Sequence, residues 1–412
     1  MSTDMRDVRV GGSAVRGTVA KSIVTPSDLG EASYVLTQAA SRGHAVAFLG
    51  GGTELGLGYP PARVDVLVKT ARLARVVEYA PADMVVEVEA GVTLAALQKH
   101  LAPHGQRLAL DVPYPELATL GGLVATNGFG PRRTRFGSLR DAIVGVSLIR
   151  ADGARVRGGG KVVKNVAGFD LPKLAVGSLG SLGMIATATF RLHPLPETAR
   201  ALRVAGCDGA TLQAVVRDVT ARQLEPAAFL AALNESGSAY DAIVVFEGFA
   251  AGVDEQQSRF EALVTERGLR AERLADAARA TGVDEEVRTY GDLRVRLSVP
   301  PAHLTALERD ALAPLARAVA EPRAVTYPSL GIAFFSGYAA DVAGVANALA
   351  AARRAVEALA GNLVLLDVRD RTIADRLDPY GTLPASFFLM QRLKDRFDPE
   401  HRMNPGRFLG GL

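Results

Sequence analysis

The stretch AFLGGGTELGLGYP, residues 47–60, places Gly50, Gly51, Gly52, Gly56 and Gly58 directly after a short apolar run. Glycine weakens such a position unless the backbone needs positive φ or something must approach it closely. Successive N–H groups unhindered by a Cβ can converge on phosphate oxygens, and Thr53 adds a hydroxyl. A plain turn is the competing reading of this loop taken by itself. It is no Rossmann fingerprint, because G-x-G-x-x-G is absent and no clean βαβ unit follows. GGGKVV at 158–163 is no P-loop: Arg155 stands five residues before Gly160, and Val162 follows Lys161 where Ser or Thr is required.

Two further segments share the character of the first. ATLGGLVATNGFGPRRTRFG, residues 118–137, carries Gly121 and Gly122, then Thr126, Asn127 and Gly128. KNVAGFDLPKLAVGSLGSLGMIATATF, residues 164–190, carries Gly177, Gly180 and Gly183. Three such segments beside apolar strand-like runs are hard to reconcile with three unrelated turns.

Other chemistry-bearing residues are sparse. His100 and His104 have the i,i+4 spacing of some zinc sites, but Pro103 interrupts that helix and no third ligand stands nearby. His303 in PPAHLTAL reads as an ordinary first-turn helix residue, and His44 as a surface turn residue. Arg294 and Arg296 alternate with apolar residues in LRVRLSVP. Either could hold a carboxylate bidentately, with Arg296 the candidate substrate contact and a solvated strand face the competing reading. Cys207 is the only cysteine, which excludes a disulfide framework and a cysteine-ligated iron–sulfur cluster.

The 412 residues carry 47 basic and 44 acidic side chains, interspersed, for a net charge of +3. That is no nucleic-acid footprint. Arg132, Arg133, Arg135 and Arg140 form the densest basic run, a solvated loop or an anion or docking site. The two longest uncharged stretches have 17 residues each, with glycine or proline inside, short of the roughly 20 that a bilayer span needs. The polar N-terminus is no signal peptide. A soluble, cytoplasmic protein without a transmembrane segment is expected.

The length calls for two or three domains. TPSDLGEASYVLTQAASRG predicts a helix capped by Ser27 or Asp28 and ended at Gly43. AVAFL predicts a buried strand running into the first glycine loop. RVDVLVKT and MVVEVEAG alternate as half-buried strands, and TLAALQKHLAPHG predicts a helix stopped near Pro103 and Gly105. ATATFRLHPLPE leaves this domain through prolines, with a boundary near Pro196. From residue 293 the order strand-helix-strand-strand-helix-strand predicts a ferredoxin-like α+β arrangement. LPASFFLMQRLKDRFDPEHRMNPGRF predicts a helix and a proline-terminated tail, and no internal repeat is legible.

The glycine segments together resemble the flavoprotein superfamily of vanillyl-alcohol oxidase and p-cresol methylhydroxylase (PCMH): GGGTEL, ATLGGLVATN and GSLGSLGMI follow that family's order and spacing. GGLVATNGFGPRRTRFGSLRD, VVKNVAGFDLPKL and FDPEHRMNPGRF are similar to the FAD-binding E subunit of bacterial glycolate oxidases. The resemblance covers residues 25–196 and the C-terminal tail and is weak between them. It implies a two-subdomain PCMH-type FAD-binding domain at 1–196, a ferredoxin-like capping domain at 197–380, and a tail at 381–412 that returns to the FAD site. Gly50, Gly51, Gly52, Thr53, Glu54 and Leu55 would wrap the pyrophosphate. Thr119, Leu120, Gly121, Gly122, Thr126, Asn127 and Gly128 would follow the ribityl chain and ring. Gly180, Gly183, Met184 and Ile185 would offer backbone groups, and Asn404 would close the site. Leu179 stands where relatives often carry glutamate, so no polar contact is expected from its side chain.

Some relatives tether FAD through a histidine in the first glycine loop. Leu49-Gly50-Gly51-Gly52 has none, so non-covalent FAD is implied. The closely spaced histidine pair of the metal-dependent hydroxy-acid dehydrogenases is missing after residue 197, so no metal and no catalytic residue is assigned. The implied function is the FAD-binding subunit of a glycolate (2-hydroxyacid) oxidase or dehydrogenase complex. Its expected partners are a second FAD subunit, an iron–sulfur subunit and a small 2-hydroxyacid, with any membrane association made through those partners. A free-standing FAD oxidoreductase and a subunit whose flavin is structural are the alternatives.

Overall fold

The structure is a computed structural model that describes residues 13–160, 169–234, 237 and 239–412. Lys161 and most of VVKNVAGF lie outside the described residues. The chain divides into two compact units. One holds the chain up to Phe129, Gly137–Leu195 and Thr382–Leu412. The other holds Pro196–Gly381 together with Gly130–Phe136. The arginine-rich segment 130–136 therefore departs from the continuous first domain read from the sequence.

The first unit contains two principal sheets. Strands β1 (Ser22–Val24), β2 (Val46–Leu49) and β3 (Val66–Lys69) are parallel in the order β1-β3-β2. Helix α1 (Leu29–Ser41) forms the first crossover. Asp28 caps it, accepting from Gly30 N at 2.8 Å and Glu31 N at 2.9 Å, while Ser27 reaches back to Glu31. Ala32, Leu36 and Ala39 are buried with Val46, Val66 and Val68, the spacing of one helix face on one sheet face.

Strands β4 (Val76–Ala80), β5 (Val85–Glu89), β6 (Ile143–Ile149), β7 (Arg155–Gly159) and β8 (Met184–Arg191) form an antiparallel sheet in the order β7-β6-β8-β5-β4. Its apolar face packs on helices α2 (Leu94–Leu101) and α3 (Leu120–Thr126), with Val86, Val88, Leu97, Leu123 and Phe190 in one core. Among the described residues no helix is long and apolar enough to cross a membrane.

Asp65, just before β3, ties the parallel strands together. Its carboxylate accepts from Ala45 N at 2.8 Å and pairs with Lys21 at 2.8 Å. Those two bonds hold its pKa below the ordinary 3.8, Lys21 first and the Ala45 amide second. A lowered carboxyl pKa stabilises the fold fully above the ordinary value, and that stability is lost as pH falls through the folded value. Asp65→Asn should therefore lower Tm at neutral pH, with the gap to wild type closing as pH falls below the ordinary 3.8 and through the folded value. A gap that stays constant across a pH series of melting curves would refute this.

The second unit is one eight-stranded antiparallel sheet built from two copies of the same topology. The first copy runs β9 (Thr198–Cys207), α4 (Gly209–Ala221), β10 (Ala228–Leu233), β11 (Tyr240–Gly248), α5 (Ala250–Glu266), β12 (Ala271–Leu274). Helix α6 (Gly282–Thr289) links it to the second. That copy starts with β13 (Leu293–Ser298) and a helical run α7 of Leu304–Leu307, a π-helical turn Glu308–Leu312 and Ala313–Ala318. It continues with β14 (Ala320–Tyr327), β15 (Ile332–Tyr338), α8 (Val342–Ala358) and β16 (Asn362–Val368). The sheet order is β12-β9-β11-β10-β14-β15-β13-β16. Each half has the strand order four-one-three-two, and the halves join edge to edge where Ala231 pairs with Thr326. The ferredoxin-like arrangement read from residue 293 is thus present twice, which corrects the expectation of no internal repeat. The repeat lives in topology, because the two halves share pattern without sharing motifs.

Candidate functional site

The three glycine segments converge in the first unit. β2 delivers the chain into Gly50–Gly52, where the backbone meets the second segment too closely for side chains. A Cβ on Gly50 would fall 2.2 Å from Thr119 Oγ1, and one on Gly51 would fall 1.7 Å from Leu117 O. Gly52 turns the chain with φ of 71°. The carbonyls beyond the turn are held by arginines from opposite ends of the sequence. Arg16 donates to Gly56 O and to Gly58 O at 2.6 Å, and Arg407 to Leu55 O at 3.1 Å and Leu57 O at 2.6 Å.

Thr119 caps α3 through Gly122 N at 3.3 Å. Gly121 lets this helix start against the end of β5, since a Cβ there would sit 2.5 Å from Ala90 Cβ. The third segment is pinned to the end of α3 by Gly177 N to Val124 O at 2.8 Å and Leu179 N to Ala125 O at 2.9 Å. Leu179 and Gly180 then both take left-handed backbone, with φ of 49° and 69°. The chain tail completes the ring. Met403 bridges Val46 in parallel, with Val46 N to Arg402 O and Asn404 N to Val46 O both 2.8 Å. The Asn404 amide donates to Leu179 O at 2.7 Å.

These segments enclose a cleft with about 770 Å³ of non-atom space, part of it open to solvent. Gly50, Gly51, Gly52, Thr53, Glu54, Leu55, Thr119, Gly121, Gly122, Thr126, Gly180, Met184, Ile185 and Asn404 line it. Four expected contacts do not. Leu120 is a core residue. Asn127 is the left-handed cap of α3. Gly128 packs on Leu123, and a Cβ on Gly183 would meet Ile149 O at 2.9 Å. Arg296 lies in the second unit on β13, between Phe334 and Val364, one pleat from Arg294, which is salt-bridged to Asp367.

The lining also includes Phe48, Leu49, Thr70, Ala90, Ala125, Leu179 and Arg407. Most are apolar or small residues at strand and helix ends, with no chemical signature to find. Arg407 had one, as the last polar residue of NPGR. Leu179 meets the cleft with an apolar side chain, and its polar contacts are made by its backbone alone.

Among the described residues Glu54 and Arg407 are the only ionisable ones of the lining, and none is a histidine, cysteine, tyrosine or lysine. Cys207 is buried in the second unit, its thiol pushed up to about 11 by burial, so it stays protonated. His100 and His104 pack on the Tyr79 ring at 5.5 and 5.1 Å. Among the described residues no group of three or more His, Cys, Asp or Glu could hold a metal. Arg132 is engaged with Glu247 at 2.7 Å and Arg135 with Glu247 O at 2.8 Å, so both anchor segment 130–136 within the second unit.

A flavin dinucleotide fits this donor set. Close backbone packing at Gly50, Gly51 and Gly121 leaves amides and small surfaces along the cleft. Asn404, a lining residue, has its Oδ1 buried without a hydrogen-bond partner among the described residues, an acceptor in want of a donor.

Comparison with known proteins agrees. Residues 20–159 match the family model described as FAD binding domain. Over 192 residues the chain is 34% identical to glycolate oxidase subunit GlcE of Escherichia coli, covering 46% of this chain and 53% of that protein. It is 36% identical over 174 residues to a D-lactate dehydrogenase of Archaeoglobus fulgidus, 42% of this chain and 38% of that one. It is 31% identical over 195 residues to mitochondrial D-2-hydroxyglutarate dehydrogenase of Bos taurus, 47% and 36% of the two chains. The chain thus matches about half or less of the length of these relatives. A solved alkyldihydroxyacetonephosphate synthase shares the fold with a TM-score of 0.72 at 18% identity, covering 94% of this chain and 77% of that one. The family match opens two residues before β1 and closes at the end of β7, and by it this chain carries an FAD-binding domain of the PCMH type.

Proposed function

We propose that this chain is the FAD-binding subunit of a complex that oxidises glycolate or a related 2-hydroxyacid and passes the electrons to an iron–sulfur partner. The observation that carries this reading is the make-up of the cleft: it suits FAD, yet among the described residues Glu54 is its only carboxylate and none of its lining is a histidine. Oxidation of an α-hydroxyl calls for a group that takes the hydroxyl proton near the flavin, and the lining is poor in such groups. FAD, when bound, supplies two-electron redox chemistry. The chain's own residues bind and orient it. Gly50–Leu55 would surround the pyrophosphate, Thr119 to Thr126 would run beside the ribityl chain and ring, and Asn404 would close the site. Among the described residues no side chain of the lining is a histidine, cysteine or tyrosine that could form a covalent tether, which supports FAD held non-covalently. Arg296 is the candidate contact for a substrate carboxylate. Relatives named as glycolate oxidase subunits support the choice of substrate class and complex.

The test uses purified, FAD-loaded chain. Acid precipitation should leave the yellow colour in the supernatant. Turnover with an artificial dye acceptor and a panel of 2-hydroxyacids should stay below about 1 s⁻¹, the lower end of typical enzyme rates. A faster rate with any of them would favour a free-standing oxidoreductase. Purification that preserves neighbours, followed by mass analysis, should recover a subunit with cysteine-rich cluster motifs.

A further inference from the structure

We infer that Lys394 is a positioning residue for FAD: it holds Asn404 and the Leu179–Gly180 turn at the spacing where Asn404 Oδ1 accepts a hydrogen bond from the bound cofactor. Lys394 lies in helix α9 (Phe387–Phe397) and is 1% exposed. An ammonium has three donors, and all three are used, on Asp398 Oδ2 at 2.7 Å, Ser181 O at 2.8 Å and Met403 O at 2.9 Å. Asp398 Oδ2 also accepts from Met403 N at 2.7 Å. One buried cation therefore fixes the residue before Asn404 and the residue after Gly180 relative to each other. Leu179, Gly180 and Asn404 all line the cleft.

The orientation of the Asn404 amide follows from chemistry. Its nitrogen must donate to Leu179 O, because a flipped amide would set two acceptors face to face. Its oxygen then faces away from Leu179 O, buried and without a partner among the described residues. FAD carries donors on its ring, on its ribityl chain and on its adenine, and any one of them satisfies this acceptor. Burial lowers the proton affinity of Lys394, with Asp398 opposing, so the chain keeps a charge where water cannot help it. A buried ion pair is weak evidence for stability, since packed apolar residues serve as well. Fixed geometry is what an apolar pair could not supply. Substrate identity plays no part in this.

The experiment titrates FAD-free full-length chain with FAD, riboflavin and ADP, following binding by calorimetry. Asn404→Leu should weaken FAD about tenfold, the order of one lost hydrogen bond to a buried group. It should weaken riboflavin or ADP, but not both, because one acceptor touches one half of the cofactor. The double variant Lys394→Met with Asp398→Leu removes the pair together, and it should fold with a wild-type circular dichroism spectrum and lose affinity for the same half. Unchanged FAD affinity in either variant, or equal loss on both halves, would overturn the assignment. So would a double variant that cannot fold, which would place Lys394 in stability alone.

Discussion

A Gly52→Val variant is expected to fold and to purify colourless, with FAD affinity reduced at least about 100-fold, or about 2.7 kcal/mol. Two effects add. Gly52 has φ of 71°, a left-handed conformation that costs a residue with a Cβ about 1–2 kcal/mol, and a β-branched one more. Gly52 also lines the cleft, so its new methyls would occupy space the pyrophosphate needs. The contrast with its neighbour is part of the test. Gly51→Val would put a Cβ 1.7 Å from Leu117 O, inside the protein rather than in the cleft, and should cost folding itself. Flavin absorbance per chain and circular dichroism of both variants separate the two outcomes. Stoichiometric FAD in folded Gly52→Val would mean that the loop does not hold the pyrophosphate.

Arg288→Met should lower the stability of the second unit by about 3–5 kcal/mol, the usual result of leaving one member of a buried ion pair behind. Arg288 pairs with Asp284 at 3.2 Å, both side chains 6% exposed, and its guanidinium lies 4.2 Å from the centre of the Phe334 ring. Tyr327 donates to the other carboxylate oxygen. Burial already pushes the Asp284 pKa upward, with Arg288 the largest opposing influence. Without Arg288 the carboxylate must pick up a proton or stay charged in an apolar setting, and either costs folding free energy. Asp284→Leu with Arg288→Met should recover part of the loss, since the pair goes together. Denaturant melts of the three chains decide it, and a single-variant loss below about 1 kcal/mol would show that the pair is not isolated from water.

The glycine segments were legible because their cost is local: several of their glycines sit where a Cβ would clash or φ is positive, among them Gly50, Gly51, Gly52, Gly121 and Gly180, and that leaves a mark on the sequence. Helix α1 was legible through its ends, Ser27 or Asp28 as cap and Gly43 as stop, and Asp28 is the cap the structure uses. What could not be read was set by distant pairings. The doubling of the second unit depends on β10 meeting β14, a contact over about ninety residues with no motif on either strand. Segment 130–136 reads as a loop of the first domain until Arg132 finds Glu247, far along the chain. Leu120 and Gly183 were grouped with the cleft because their neighbours belong there, yet α3 turns Leu120 into the core and β8 begins just past Gly183. Nothing in the sequence separates Lys394 from the other cations of its helix, and only its three acceptors do so.

The bridge between Val46 and Met403 also bears on the order of events at the ribosome. β2 is an edge of its parallel sheet, and what covers that edge is made long after it. Synthesis at roughly 5–20 residues per second leaves about 20–70 s between the appearance of Gly50 and that of Asn404. During that interval a nascent chain can own every glycine of its cleft and still lack the wall that shuts it. A message broken before the codon for Asn404 therefore yields a chain that has the glycines of the cleft without this wall.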